Sequence, residues 1–209
     1  FPDFFIIGAQ KSGTTSLFAY LEQHPGIISP FNKEIYFFDT TLNRKKGLGW
    51  YCPFFPSEAR KKRISRQIGY QCITGEATTM LIHPLVPEWV SEITKECKFI
   101  VLLRDPVERA FSHYQHNKRK GREPLSFLNA IQREDTRLHG ELDRLSKNRE
   151  YDLGSYQDFS YITRGLYADR LHPWFSVFDQ DQFFIEESSV LFNRPINTVR
   201  RIASFLNLP

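Results

Sequence analysis

A chain of 209 residues that is 41% hydrophobic and 15% aromatic has enough apolar side chain to bury a real core, most simply as one domain, and is not the composition of a disordered protein. A net charge of +4 is too small to argue for nucleic acid, and the basic clusters Arg44–Lys46, Arg60–Arg63 and Lys118–Arg122 lack interleaved aromatics, so they read as solvated surface able to steer an anion. No apolar run approaches the ~20 residues of a membrane span and no leader pattern opens the sequence, so a soluble protein is expected.

In chain order, Phe4–Gly8 reads as a strand that breaks into a turn. A helix over 14–24 carries Leu17, Phe18, Tyr20 and Leu21 and stops before Pro25. Residues 57–67 read as a basic surface helix, 70–74 as a short strand and 84–95 as a helix opened by Pro84. The continuous apolar run Lys98–Leu103 is a strand of the kind buried on both faces of a parallel sheet. A helix follows from Pro106, two more fill 124–147, and 148–160 reads as a loop. A helix over 165–178 precedes the strand 182–185, and Ile196, Val199, Ile202, Ala203 and Leu206 make the stripe of a last helix. This alternation predicts an α/β fold, a three-layer P-loop-like domain with a mainly parallel sheet flanked by helices.

Two segments carry chemistry. The turn Gly8-Ala9-Gln10-Lys11-Ser12-Gly13-Thr14-Thr15 offers backbone N–H groups at a helix start, a full charge from Lys11 and hydroxyls from Ser12, Thr14 and Thr15, which suit a phosphate or sulfate. Lys11 precedes Gly13, whereas a magnesium-nucleotide P-loop places its Lys after the second Gly. The second segment is Arg104-Asp105-Pro106-Val107-Glu108 through Ser112-His113-Tyr114. Arg104 stands at a strand's C-terminal end, where open α/β sheets bind ligands, and Ser112 falls about two turns along the helix. The plain structural alternatives are an Arg104 pair with Asp105 or Glu108, and a Lys33–Glu34 pair in a turn that packs Phe37 and Phe38. Cys52, Cys72 and Cys97 lie far apart without a Cys-x-x-Cys or His partner, which argues against zinc and a disulfide framework and fits a reducing compartment.

Together these strings resemble the sulfotransferases that use 3′-phosphoadenosine 5′-phosphosulfate (PAPS). The first resembles their 5′-phosphosulfate loop and the second their 3′-phosphate motif. The blocks Lys33-Glu34-Ile35-Tyr36-Phe37-Phe38-Asp39, Gly47-Leu48-Gly49-Trp50-Tyr51, Gly75-Glu76-Ala77-Thr78 and Arg164-Gly165-Leu166-Tyr167 with Trp174 extend the resemblance to the heparan sulfate sulfotransferase branch, closer to its bacterial members. The resemblance implies that Lys11, Ser12, Gly13, Thr14, Thr15, Arg104 and Ser112 hold the cofactor without a metal. It also implies that Glu34, helped by Lys11, is catalytic, the carboxylate taking a proton from the acceptor. The comparable heparan-branch block carries Lys where this chain has Ala77, which weakens transfer of heparan specificity. Glu76 is expected to orient the site or to cap the adjoining segment, and His83 and His113 are expected to be structural or surface residues.

The implied reaction is sulfo transfer to a hydroxyl or amine of a small-molecule, carbohydrate or carrier-linked acceptor, releasing 3′-phosphoadenosine 5′-phosphate. The expected compartment is the cytoplasm, or the Golgi lumen if the chain is an excerpt of an animal enzyme. The family's later basic loop has no counterpart before Pro209, so residues 1–209 are expected to be a single domain lacking a C-terminal segment. The rivals are a nucleotide kinase or NTPase, and a non-catalytic polyanion-binding domain.

Overall fold

The computed structural model describes residues 1–209. Four strands, β1 (Phe4–Gly8), β2 (Gly75–Glu76), β3 (Lys98–Leu103) and β4 (Phe183–Glu187), form one parallel sheet in the order β2-β1-β3-β4. Phe5 pairs with Phe99, and Phe99 with Phe183. Because side chains alternate across a strand, β1 and β3 feed two cores. Phe5, Ile7, Phe99 and Val101 pack with Phe38, Tyr51 and Trp174 on one face; Phe4, Ile6, Ile100 and Leu102 pack with Leu17, Leu21, Ile202 and Leu206 on the other. Helices cover both faces, which makes the three layers. Burying each large apolar side chain contributes roughly 1.5–3 kcal/mol, so these alternating runs dominate the stability of the sheet.

The order of strands sets the place of the site. The chain leaves β1 for β2 on one side and returns to β3 on the other, so the turn after β1 and the segment after β3 diverge at a topological switch point, where doubly wound sheets leave a crevice.

Several elements differ from the sequence expectation. Pairing with β1 begins at Gly75 rather than within 70–74, where Ile73 makes only an isolated bridge to Ile27. The intervening groups bond elsewhere: Cys72 N–H to Ser65 Oγ, Thr74 N–H to Asp3, and Thr74 Oγ1 to the Ile28 carbonyl. Gly75 then passes directly over Phe4, where a Cβ would lie 2.3 Å from the ring. Residues 148–160 are not all loop, since Gly154–Phe159 is a helix. It lacks a side-chain N-cap and is held by packing of Leu153 and Tyr156 on Ile82 and Leu145. The region 124–147 holds three helices, 127–132, 134–138 and 141–147, with a left-handed Gly140 before the last. The other helices occupy Thr14–Leu21, Thr41–Arg44, Leu48–Tyr51, Glu58–Ile68, Val86–Ser91, Pro106–Arg119, Tyr167–Phe175, Ser188–Asn193 and Pro195–Phe205. The basic helix is not wholly solvated, because Lys61 is buried and pairs with Asp3 at 2.9 Å. No helix is long and apolar enough to cross a membrane.

Candidate active site

β1 is fully buried and ends at Gly8, so the turn beyond it is held at the C-terminal end of an interior strand. The Ala9 N–H bonds the Leu102 carbonyl at 2.7 Å, tying the turn to β3. Lys11 (φ 69°) and Gly13 (φ 92°) both adopt the left-handed region, which curls the backbone around the start of the Thr14–Leu21 helix. No side chain caps this helix and no acidic residue lies in its first turn, so its N–H groups and positive end are left for an anion.

A cavity of about 450 Å³ opens there. The structure brings Lys11, Gly13, Thr14, Thr15, Glu34, Arg104 and Ser112 into its wall, from three separate segments of the chain. Ser12 is the exception among the expected cradle residues. It is 1% exposed and its hydroxyl lies buried without a partner, away from the cavity wall.

Arg104 joins the two anion segments, since its Nη1 donates to the Lys11 carbonyl at 3.3 Å. Its Nε and Nη2 donate to Glu108 at 3.1 Å, so the expected helix-start ion pair is also present. That pair is a surface contact worth ~0–1 kcal/mol and leaves donors on the guanidinium for a phosphate. The Tyr167 hydroxyl donates to the Arg104 carbonyl at 2.7 Å, and Gly165 packs closely on Pro106. The 164–167 block therefore buttresses the strand end that carries Arg104.

Glu34 lies beside the cradle. Lys33 Nζ donates to its Oε1 at 2.6 Å and to Thr15 Oγ1 at 3.0 Å, and the Tyr36 hydroxyl donates to its Oε2. Burial pushes the Glu34 carboxyl up, but the hydrogen bonds from Lys33 and Tyr36 outweigh it and hold the group below its ordinary value. Below the loop, Glu76 is fully buried and accepts from Tyr51, Thr78 and the Ile35 N–H. It anchors the segment that presents Glu34. Lys11 is shifted down, first by burial and then by Arg119, Arg104 and Lys120, which marks a crowded positive field suited to a multiply charged ligand.

Gln10, Tyr36, Thr79, His116, Lys120 and Phe192 also line the cavity, and none of them stands out in the sequence as a site residue. For His116 and Lys120 the spacing from Ser112 is a usable signal, because residues four apart share a helix face. A second hollow of about 260 Å³ adjoins the first and shares Gln10, Tyr36, Thr79, His116 and Lys120 with it. Asp39, Ile82, Asn117, Arg122, Gln157, Asp158 and Arg164 complete its wall. His83 and His113 are both buried. His113 rests on Tyr161 and Asn117, and burial drives both imidazoles toward the neutral form.

Comparison with known proteins decides the family. The sulfotransferase domain family matches residues 1–209. The chain belongs to the sulfotransferase family. A sulfotransferase structure from Alicyclobacillus acidocaldarius is 31% identical, with a TM-score of 0.69, over 100% of this chain and 82% of that one. Mouse heparan sulfate glucosamine 3-O-sulfotransferase 3B1 is 30% identical over 99% of this chain and 46% of its own length. Human bifunctional heparan sulfate N-deacetylase/N-sulfotransferase 2 is 26% identical over 99% of this chain and 22% of its length. The chain thus spans less than half of each of these two animal enzymes. The sulfotransferase domain from the curacin biosynthetic pathway, at 15% identity and a TM-score of 0.58, shares the fold.

Proposed function

We propose that this chain moves a sulfo group from PAPS to an acceptor hydroxyl by direct in-line transfer. The observation that carries the reading is the meeting of the Lys11–Thr15 cradle, Arg104 with Ser112, and Glu34 in one cavity. Two cationic anchor points at separate strand ends suit a ligand with phosphate at both ends of a nucleoside. In this reading Lys11, the backbone around Ser12 and Gly13, and the hydroxyls of Thr14 and Thr15 hold the 5′-phosphosulfate, and Arg104 and Ser112 hold the 3′-phosphate. Phe192, 56% exposed on the cavity wall, offers a flat apolar face to the adenine.

The acceptor oxygen attacks sulfur, the bond from sulfur to the bridging phosphate oxygen breaks, and the acceptor proton passes to Glu34. Lys11 meets the charge growing on the bridging oxygen, and no metal is required for that step. Positioning and electrostatics supply most of the rate gain.

The second hollow, walled mainly by charged and polar side chains, supports a polar acceptor such as a carbohydrate, although the amine of the heparan branch is replaced by the buried Ala77. The three free cysteines support a reducing compartment, the cytoplasm. We treat residues 1–209 as one domain, because a single sheet draws strands from both ends of the chain.

The test is transfer of radiolabelled sulfate from PAPS into a panel of saccharide, lipid, peptide and carrier-linked acceptors, alongside nucleotide calorimetry. Tight binding of ATP with magnesium in preference to 3′-phosphoadenosine 5′-phosphate would hand the site to a kinase or NTPase. Salt-sensitive polyanion binding with no preference for PAPS would leave a binding domain.

A further inference from the structure

We propose that Tyr36 positions the Glu34 carboxylate and sets the pH at which it can take up a proton. The proposal rests on the reading of Glu34 as the base. Tyr36 is one of three non-glycine residues with a positive φ, at 55°, a conformation that L-residues avoid and that persists where the surroundings impose it. Those surroundings are visible. The Tyr36 carbonyl accepts from Thr40 Oγ1 at 2.8 Å and from Asn43 Nδ2 at 3.1 Å, and the neighbouring Ile35 N–H bonds Thr78 Oγ1 at 3.2 Å. The turn brings the phenol back onto Glu34 Oε2, leaving Oε1 to Lys33. Each carboxylate oxygen is thus fixed by its own donor, and both donors favour the charged form.

Tyr36 also lines both hollows, so it borders the cofactor cradle and the adjoining polar cavity alike. An acceptor hydroxyl approaching Glu34 from that cavity meets the carboxylate already oriented, and shares or displaces the Tyr36 contact. The other charged and titratable groups facing Glu34 are Lys33 and Asp39 of its own loop, Glu76 of β2, Lys11 of the turn, and Arg104, His116 and Lys120 around the Pro106–Arg119 helix. Tyr36→Phe leaves all of them in place and removes one donor.

The experiment is a carbon-13 NMR titration of glutamate-labelled protein, with Glu34→Gln used to assign the Glu34 carboxyl signal. Tyr36→Phe should move the Glu34 titration to higher pH while the amide spectrum stays that of the wild type. An unmoved titration in a folded variant overturns the proposal. Where an acceptor is in hand, the acidic limb of kcat/KM should move upward in Tyr36→Phe as well, and a limb that stays put also overturns it. Wild-type protein that transfers no sulfate to any acceptor counts against the sulfotransfer reading instead, because the NMR shift is read without PAPS or acceptor.

Discussion

Phe192 rests the tip of its ring on Gly13: a Cβ built at Gly13 would lie 2.8 Å from Phe192 Cζ. Residues from opposite ends of the chain thereby shape one wall of the cavity. If the exposed face of the ring carries the adenine, Phe192→Ala should weaken 3′-phosphoadenosine 5′-phosphate about tenfold, since stacking on an aromatic is worth ~1–3 kcal/mol per base. Base-free ribose 3,5-bisphosphate should bind both proteins alike in calorimetry. Equal losses for the two ligands would reduce the ring to a packing role.

Gly13→Ala tests the cradle from the other side. At φ 92° an alanine is strained by roughly 1–2 kcal/mol, and its methyl must also push Phe192 aside. The variant should melt lower and bind 3′-phosphoadenosine 5′-phosphate at least tenfold more weakly. Wild-type affinity would show that the turn does not need its observed curl.

Arg104→Ala should weaken 3′-phosphoadenosine 5′-phosphate about ten- to a hundredfold and hardly change AMP, because a charge-assisted contact contributes roughly 1.5–3 kcal/mol. Glu108→Gln, which frees the guanidinium from its 3.1 Å partner, should leave that affinity intact or raise it. Parallel losses for both nucleotides would place Arg104 away from the 3′-phosphate.

Glu34→Gln should retain nucleotide affinity and lower turnover by about 10²–10⁴-fold, the usual contribution of a positioned general base. Steady-state kinetics with calorimetry on one preparation checks both halves. Near-normal turnover would remove Glu34 from the chemistry and turn attention to its neighbouring carboxylates.

Asp39 makes a pH prediction. Its Oδ1 is buried without a partner, and burial, reinforced by the charge of Glu76 and opposed by Arg164, lifts the carboxyl from 3.8 to about 7. The folded protein therefore holds a proton that the unfolded chain gives up, and this group's contribution to stability falls as pH rises from about 4 toward 7. Asp39→Asn should raise the melting temperature, relative to wild type, more at about pH 8 than at about pH 5. A difference independent of pH would mean that Asp39 is not held protonated.

The parts of this molecule that are legible in its sequence are those whose signal is local. A buried apolar run ending in Gly8, or in Arg104 followed by Asp105 and Pro106, announces a strand end and a helix start within a dozen residues. Glu34 depends on a family pattern, since nothing in its spacing says that it faces Lys11. Phe192 is illegible because its place is set by β4 docking on β3, and Tyr36 because its left-handed turn is imposed by Thr40 and Asn43. The Gly154–Phe159 helix escapes a reading of the sequence because packing on Ile82 and Leu145, rather than caps or strong helix formers, holds it. Ser12 reads as a ligand-facing hydroxyl, but a turn of two left-handed residues rotates its side chain inward.

The parallel sheet has a consequence for how the protein is made. Phe5 meets Phe99, and Phe99 meets Phe183, so no strand lies beside the one that precedes it by a short hairpin. During synthesis the apolar β1 emerges long before β3, and the second side of β3 stays uncovered until β4 has emerged in turn. Such distant pairings form slowly and leave sticky edges open meanwhile. Substitutions in β4, which carries none of the proposed site residues, should therefore register first as aggregation and poor recovery from cells.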